Sequence, residues 1–337
     1  MKKNGNRIIG RITGTGRAVP EKVLTNKDLE EFVDTTDEWI FTRTGIRERR
    51  VAGPDESLST FALPAARAAL DMAGVAGKEV DLVICATVTP DMPFPATANL
   101  IQDRIGAARA ASFDLAAGCT GFVYALGVAE RFIESGGAKN ALVVGGEVLT
   151  KIMDWTDRTT CVLFGDGAGA VLLQASEETD AAEPRGIIGS ALHSDGSLGD
   201  LICLPAGGSK TPISPAVFDA RLAYIKMKGN ETFKIAVRSL AEVSDEALSQ
   251  CGLGHGDVAW FIPHQANQRI IDAVGQRLEI RPGHTYVNID RYGNTSAASI
   301  PIALDELNRD GKIQPGDILL FSAFGAGLTW GANVVRW

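Results

Sequence analysis

Two stretches of this chain repeat one order of elements, and that order restricts the fold more than any single motif. Asp81-Leu-Val-Ile-Cys-Ala-Thr is a continuous apolar run of strand length, as expected for a strand covered on both faces of its sheet. A proline-stiffened loop at residues 89–95 and a helix over residues 96–105 lead to a second strand-like segment that ends at Ala117. Gly118 turns the chain and a helical pattern starts at Cys119. Phe122, Leu126, Ala129 and Phe132 then recur at three- and four-residue spacing until Gly136-Gly137 stops the helix. A further apolar strand covers residues 141–145.

The second half runs the same way. Asp257 opens a strand over residues 258–262, a helix covers 267–278, and a strand is expected over 286–289. The turn Arg291-Tyr-Gly-Asn-Thr-Ser then opens a helix over 295–307, and 318–322 is again an apolar strand. The interval from Asp81 to Cys119 differs by one residue from that between Asp257 and Asn294. The intervening residues do not align without gaps, so the repeat is architectural. Duplication of a βαβ-containing half explains it, with halves at residues 1–180 and 181–337 of an α/β fold. The starts of the two equivalent helices then meet near a pseudo-twofold axis, which brings Cys119 to Asn294.

The remaining elements frame these halves. Residues 8–16 form a strand ending in a Gly-Thr-Gly turn, Thr25 or Asn26 caps a short helix, and an Ala-rich helix spans 58–73. Residues 159–173 read as two β segments joined at Phe164-Gly-Asp-Gly-Ala-Gly, and 176–184 as an acidic surface loop. A strand lies around Ile187, and 204–215 is loop. An amphipathic helix covers 230–251, with Phe233, Val237, Leu240, Val243 and Leu248 on one face, and 329–335 is a closing strand.

Composition excludes several classes of function. A net charge of -8 argues against a nucleic-acid binder. No run approaches the roughly 18 apolar residues of a membrane-spanning helix, and the charged start lacks the apolar core of a signal peptide. Five cysteines include no CxxC pair, and none of the four histidines neighbours one. These are expected to be reduced thiols of a cytoplasmic protein, with no structural metal. Gly165-Asp-Gly-Ala-Gly has the wrong spacing for a dinucleotide fingerprint.

Four junction residues could carry chemistry. A thiol in the first turn of a buried helix faces unpaired N–H groups and the positive end of the helix dipole, which favours the Cys119 thiolate as nucleophile. Phe261-Ile-Pro-His-Gln-Ala-Asn places His264 and Asn267 where a strand gives way to a helix, a common place for function in α/β sheets. Asn294 sits at the matching turn, where read alone it is a helix cap. A thiol, an imidazole and a carboxamide in one cleft suit acyl transfer through a thioester. Cys119 would take the acyl group while His264 and Asn294 donate hydrogen bonds to a developing oxyanion. Backbone N–H groups of Cys119 and of the turn at 324–327 would form a second oxyanion hole.

The run Thr36-Asp-Glu-Trp-Ile-Phe-Thr-Arg-Thr-Gly-Ile-Arg-Glu-Arg-Arg, the Cys119 junction, Phe164-Gly-Asp-Gly-Ala-Gly-Ala, Pro263-His-Gln-Ala-Asn, Tyr292-Gly-Asn-Thr-Ser-Ala-Ala-Ser and Thr329-Trp-Gly together resemble β-ketoacyl-[acyl carrier protein] synthase III. The resemblance runs in order along nearly the whole chain. It implies a thiolase-like fold of two duplicated halves, layered α-β-α-β-α and assembled as a homodimer. It implies that Cys119 accepts a short acyl group, typically acetyl, from acyl-CoA as substrate, with no cofactor and no metal. His264 and Asn294 then support decarboxylation of malonyl-[acyl carrier protein], and the carbanion attacks the acyl-cysteine.

By the same resemblance Trp39 and Arg158 hold the CoA adenine, and Arg43, Asn267, Gly325 and Ala326 contact substrate. Phe94 reaches the neighbouring subunit's acyl pocket, and Gln265, Lys234 and Arg269 receive the carrier protein. Gly118 stands where the family often has alanine, which loosens the turn, and Ala326 where some members have glycine. Two other readings share the fold: a Cys-His-Asn relative that primes a polyketide, and a non-catalytic carrier-binding scaffold. Retention of Cys119, His264 and Asn294 counts against the scaffold.

Overall fold

Alternation of apolar runs with amphipathic segments builds two similar sheets with helices between and outside them. The computed structural model describes residues 7–178 and 183–337. The first half contains β1 (Arg7–Ala18), β2 (Val23–Thr25), α1 (Asn26–Glu30), α2 (Asp37–Thr44), β3 (Glu48–Arg50), α3 (Leu58–Ala73), β4 (Leu82–Ala86), α4 (Thr97–Arg104), β5 (Ala111–Leu115), α5 (Gly121–Glu134), β6 (Asn140–Val148) and β7 (Asp166–Glu178). The second contains β8 (Gly186–Ser194), β9 (Ile202–Cys203), α6 (Pro215–Asp219), β10 (Lys226–Met227), α7 (Gly229–Gln250), β11 (Val258–Pro263), α8 (Gln268–Arg277), α9 (Ile289–Tyr292), α10 (Ser299–Arg309), β12 (Ile318–Gly325) and β13 (Thr329–Arg336).

The first sheet has the order β1-β7-β6-β4-β5 and the second β11-β12-β13-β8. The series β4-β6-β7-β1 and β11-β12-β13-β8 have the same senses: parallel, antiparallel, antiparallel. This is the expected duplication. Helix α3 packs on the outer face of the first sheet and α7 on that of the second, while α5 and α10 contact strands of both halves. The result is the five-layered α-β-α-β-α arrangement. In the central layer Phe122, Val123, Leu126 and Ile133 of α5 are at most 1% exposed. Burying each such side chain contributes roughly 1.5–3 kcal/mol.

The central layer tolerates little bulk. Gly145 of β6 lies against the Ala297 carbonyl, and a Cβ there would collide with it. Helix α10 is buried on nearly every side, so its carboxylates need partners. Asp305 takes Arg17 and Arg309, and Glu306 takes Arg291, Tyr292 and Asn288.

Several expected elements differ. The helix after Cys119 begins at Gly121, because residues Gly118–Thr120 form a tight 3-10 turn. Its counterpart does the same: Ser296–Ala298 is a 3-10 turn and the α-helix starts at Ser299. Residues 286–289 are not a strand. Only Phe261 and Thr285 form a bridge there, with backbone bonds from Phe261 to His284 and from Tyr286 to Phe261, because α9 starts at Ile289. Residues 159–163 are turns rather than a β segment, and β7 alone runs through the Gly-rich stretch. The Gly-Thr-Gly step stays inside β1, which continues to Ala18 beneath α3. The expected acidic loop begins within β7 and includes residues 179–182, which lie outside the described residues. The polar run after Asp34 holds α2, capped by Thr36 through its hydroxyl and ended by Gly45.

Candidate active site

Cys119, His264 and Asn294, far apart in sequence, line one cavity of about 640 Å³. His264 and Asn294 are buried, and Cys119 is partly exposed. Trp39 is half-buried, and the charged ends of Arg43, Arg158, Lys234 and Arg269 are exposed on the same lining. The reacting groups thus sit inside and the basic groups at the mouth.

The Cys119 turn is clamped by the other half. Thr329 donates its hydroxyl hydrogen bond to the Ala117 carbonyl at 2.9 Å, and the Thr120 hydroxyl donates to the Thr329 carbonyl at 3.1 Å. Gly118 has φ +54, and a Cβ there would stand 2.8 Å from the Ala326 nitrogen. Glycine therefore relieves strain at this step; the expected loosening of the turn is overturned, since the close approach of Ala326 holds it.

The expectation that a helix dipole ionises Cys119 is also overturned. Loss of hydration pushes the thiol up to about 12, against a hydrogen bond from Ser296 that lowers it. A helix terminus is worth at most about 2 kcal/mol, whereas a rise of three units from 9.0 corresponds to about 4 kcal/mol. Burial wins, and α5 starts two residues too late to hold the sulfur in its first turn.

His264 follows β11, with its N–H bonded to the Ser322 carbonyl at 2.8 Å. Burial lowers its imidazole to about 3, so it is neutral at working pH. Its Nδ1 lies 2.7 Å from Ser299 Oγ, which accepts the Gln265 N–H at 3.3 Å. With that oxygen accepting from the backbone, its own hydrogen is free for Nδ1, which leaves the proton of the neutral ring on Nε2. Asn294 is held by backbone bonds to Leu163 and Gly165, and its Oδ1 accepts the Ser296 N–H at 2.9 Å. Its amide nitrogen is then the available donor.

At the mouth the Arg43 and Arg158 guanidinium groups lie 4.5 and 5.2 Å from the Trp39 ring. Asn267 caps α8 and donates its amide to the Arg43 carbonyl at 2.9 Å. The lining carries these basic side chains and no carboxylate. Despite the net charge of -8, the cavity therefore favours an anionic ligand.

Other expected residues fall elsewhere. Gln265 is 1% exposed and spends its amide on Pro263, Tyr286 and Asn288. It shapes the loop from inside and offers no surface to a carrier protein, which corrects that assignment. Phe94 is 85% exposed and does not line this cavity. Gly325 and Ala326 press on the Cys119 turn, and Phe324 beside them is the lining residue. Ser299 and Ser296, which orient the imidazole and carboxamide, were not singled out from sequence, and neither was Glu147. The signal for Glu147 is a lone acid inside the apolar run of β6. Among the described residues no group of three His, Cys, Asp or Glu side chains could hold a metal, and no helix is long and apolar enough to cross a membrane.

Comparison with known proteins bears on the whole chain. The family models for 3-oxoacyl-[acyl-carrier-protein] synthase III and for its C-terminal part match residues 113–196 and 248–337. A β-ketoacyl-[acyl-carrier-protein] synthase III of Thioalkalivibrio sulfidiphilus is 55% identical over 97% of this chain and 98% of its own length. The crystal structure of 3-oxoacyl-[acyl-carrier-protein] synthase III from Aquifex aeolicus superposes with a TM-score of 0.88 at 47% identity, covering 97% of this chain and all of the other. The priming β-ketosynthase of the R1128 polyketide pathway gives 0.89 at 37% identity, covering 98% and 96%.

Proposed function

The chain belongs to the β-ketoacyl-[acyl-carrier-protein] synthase III family, an acyltransferase that starts fatty-acid synthesis, and from that membership we propose how its own residues divide the reaction. The Cys119 sulfur attacks the thioester carbonyl of a short acyl-CoA, and CoA thiolate leaves. Malonyl-[acyl carrier protein] then enters the same cavity, loses CO2, and its carbanion attacks the acyl-cysteine to give the 3-oxoacyl thioester. Loss of CO2 builds negative charge on the malonyl thioester oxygen, and His264 Nε2–H with Asn294 Nδ2–H stabilise it. Both donors are neutral, so neither hands over a proton that would quench the carbanion. Each such donor is worth about 10²–10³ in rate.

The observation that carries this reading is the convergence of thiol, imidazole and carboxamide on one cavity with a basic mouth. Trp39 between two guanidinium groups suits a purine and its phosphates. Exposed Lys234 and Arg269 suit an acidic carrier. Relatives more similar than the polyketide enzyme bear the synthase III name, which favours fatty-acid initiation. The homodimer belongs to the same proposal: β5 is a free sheet edge, and Phe94 projects where a second copy would receive it. A monomer mass by light scattering would remove that part.

Incubation with acetyl-CoA followed by peptide mass spectrometry tests the first step. An acetyl group on the peptide bearing Cys119, discharged by malonyl-[acyl carrier protein] with release of CO2, is the expected result. An unmodified Cys119, or acetylation that malonyl-carrier cannot discharge, overturns the reading.

A further inference from the structure

Glu147 lies beneath the reacting cysteine and is fully buried on β6. Its carboxylate accepts the Val88 N–H and the Thr87 hydroxyl, each at 3.2 Å, and the Thr89 hydroxyl. It also accepts the Ser296 hydroxyl at 3.3 Å. Ser296 is the hydrogen-bond partner of the Cys119 thiol as well. The serine holds that bridging position with φ +49, unusual for a residue with a Cβ. Its backbone N–H meanwhile orients Asn294.

A purely structural carboxylate in this position would tie residues 87–89 to β6. Two features go beyond that role. The ionisable groups facing Glu147 are the thiols of Cys119, from the turn before α5, and Cys85, from β4. Asp166 on neighbouring β7 is turned to Ala52 and Thr150. Its other partners are neutral donors, and burial raises Glu147 to about 7. The group is therefore a half-ionised acceptor at neutral pH, where a general base is most effective. The second feature is the thiol itself, which burial keeps protonated and which needs an acceptor as it attacks.

We propose that Glu147, acting through the Ser296 hydroxyl, takes the Cys119 proton during acylation, stores it, and returns it when condensation frees the sulfur. This rests on Cys119 being the acylated residue. As the sulfur–carbonyl bond forms, the thiol proton passes to Ser296 Oγ and the serine proton to the carboxylate, while CoA thiolate departs and is protonated by solvent. In the second half-reaction the carbon–carbon bond forms and the carbon–sulfur bond breaks. The released thiolate recovers its proton from Glu147 by the reverse path. The only net proton comes from solvent, as loss of CO2 from a malonyl carboxylate requires. Glu147 touches no substrate and is a positioning residue for the proton.

The test is the pH dependence, from about 5.5 to 9, of single-turnover acetylation by acetyl-CoA and of Cys119 alkylation by iodoacetamide. The carboxylate form exists above its midpoint, so both rates for the natural enzyme should rise through pH 7 and then level. Glu147→Gln should lower acetylation about 100-fold at pH 7 and rise with hydroxide without levelling. CO2 release by slowly pre-acetylated Glu147→Gln should stay within about threefold, since His264 and Asn294 are intact. Ser296→Gly, whose backbone suits φ +49 and which keeps the N–H for Asn294, should reproduce the altered profile. An unchanged profile in either variant overturns the relay, and so does equal loss of both half-reactions with the inflection retained. Alkylation separates this from the acylation reading: it reports the relay even if acetyl-CoA fails to modify Cys119.

Discussion

Removing His264 or Asn294 should divide the two half-reactions. In Asn294→Ala the amide donor is lost, and with it one of two groups aimed at the oxygen that becomes negative as CO2 leaves. Loss of one oxyanion donor costs about 3–4 kcal/mol, or about 10²–10³ in rate, so decarboxylation should fall by that factor. Acylation should change by less than about tenfold, because the carboxamide does not hold the sulfur. The variant also strands the Ser296 N–H, now bonded to Asn294 Oδ1 at 2.9 Å. That costs about 1–3 kcal/mol of folding stability, read separately as a lower midpoint in urea. His264→Ala should show the same division, and the double variant should lose less than the product, since one oxygen receives both donors. The assay pairs single-turnover acetylation, followed by intact mass, with CO2 release from malonyl-carrier. Parallel loss of both steps in either variant would refute the division, because groups serving only the enolate cannot slow thioester exchange.

Four further outcomes follow from the same geometry. His264 titrates near 3 when folded against 6.5 as a model group; the unfolded chain thus binds more protons between these values, and stability falls as pH drops through that window. At pH 4.5 the loss is about 3 kcal/mol, so thermal midpoints from pH 7 to 4.5 should decline more steeply in the natural protein than in His264→Ala; equal slopes would exclude it. Trp39→Ala should raise KM for acetyl-CoA about tenfold and leave KM for malonyl-carrier unchanged. Arg269→Glu with Lys234→Glu should do the converse, with an effect that fades in salt; a larger effect on acetyl-CoA would place the carrier elsewhere. Gly145→Ala, forced against the Ala297 carbonyl, should cost about 1–3 kcal/mol by thermal unfolding, and a neutral result would mean the halves can part there.

Much of the architecture is legible in one dimension. Strands such as 82–86 announce themselves as unbroken apolar runs because both faces are covered. Helix α3 is bounded by Ser57 and Gly74, the residue types that end helices, and it matches the expected range. The errors cluster where tertiary contact sets the backbone. The 3-10 turns before α5 and α10 are tightened by the opposite half, and residues 286–289 remain irregular as the chain bends into α9. Gln265 looked like a surface contact because it sits in a recognisable motif, yet its amide is consumed by three backbone groups.

Periodicity and the order of apolar runs determined the duplicated sheets and the bet that a cysteine, a histidine and an asparagine meet. Those patterns record which faces must leave water, and that is a local property. Ionisation was decided only by the assembled protein. The helix dipole readable from sequence is a small term, and the desolvation that outweighs it comes from both halves closing over the sulfur. The same closure raises Glu147 and lowers His264, because a charge's energy depends on everything around it and not on its neighbours in the chain.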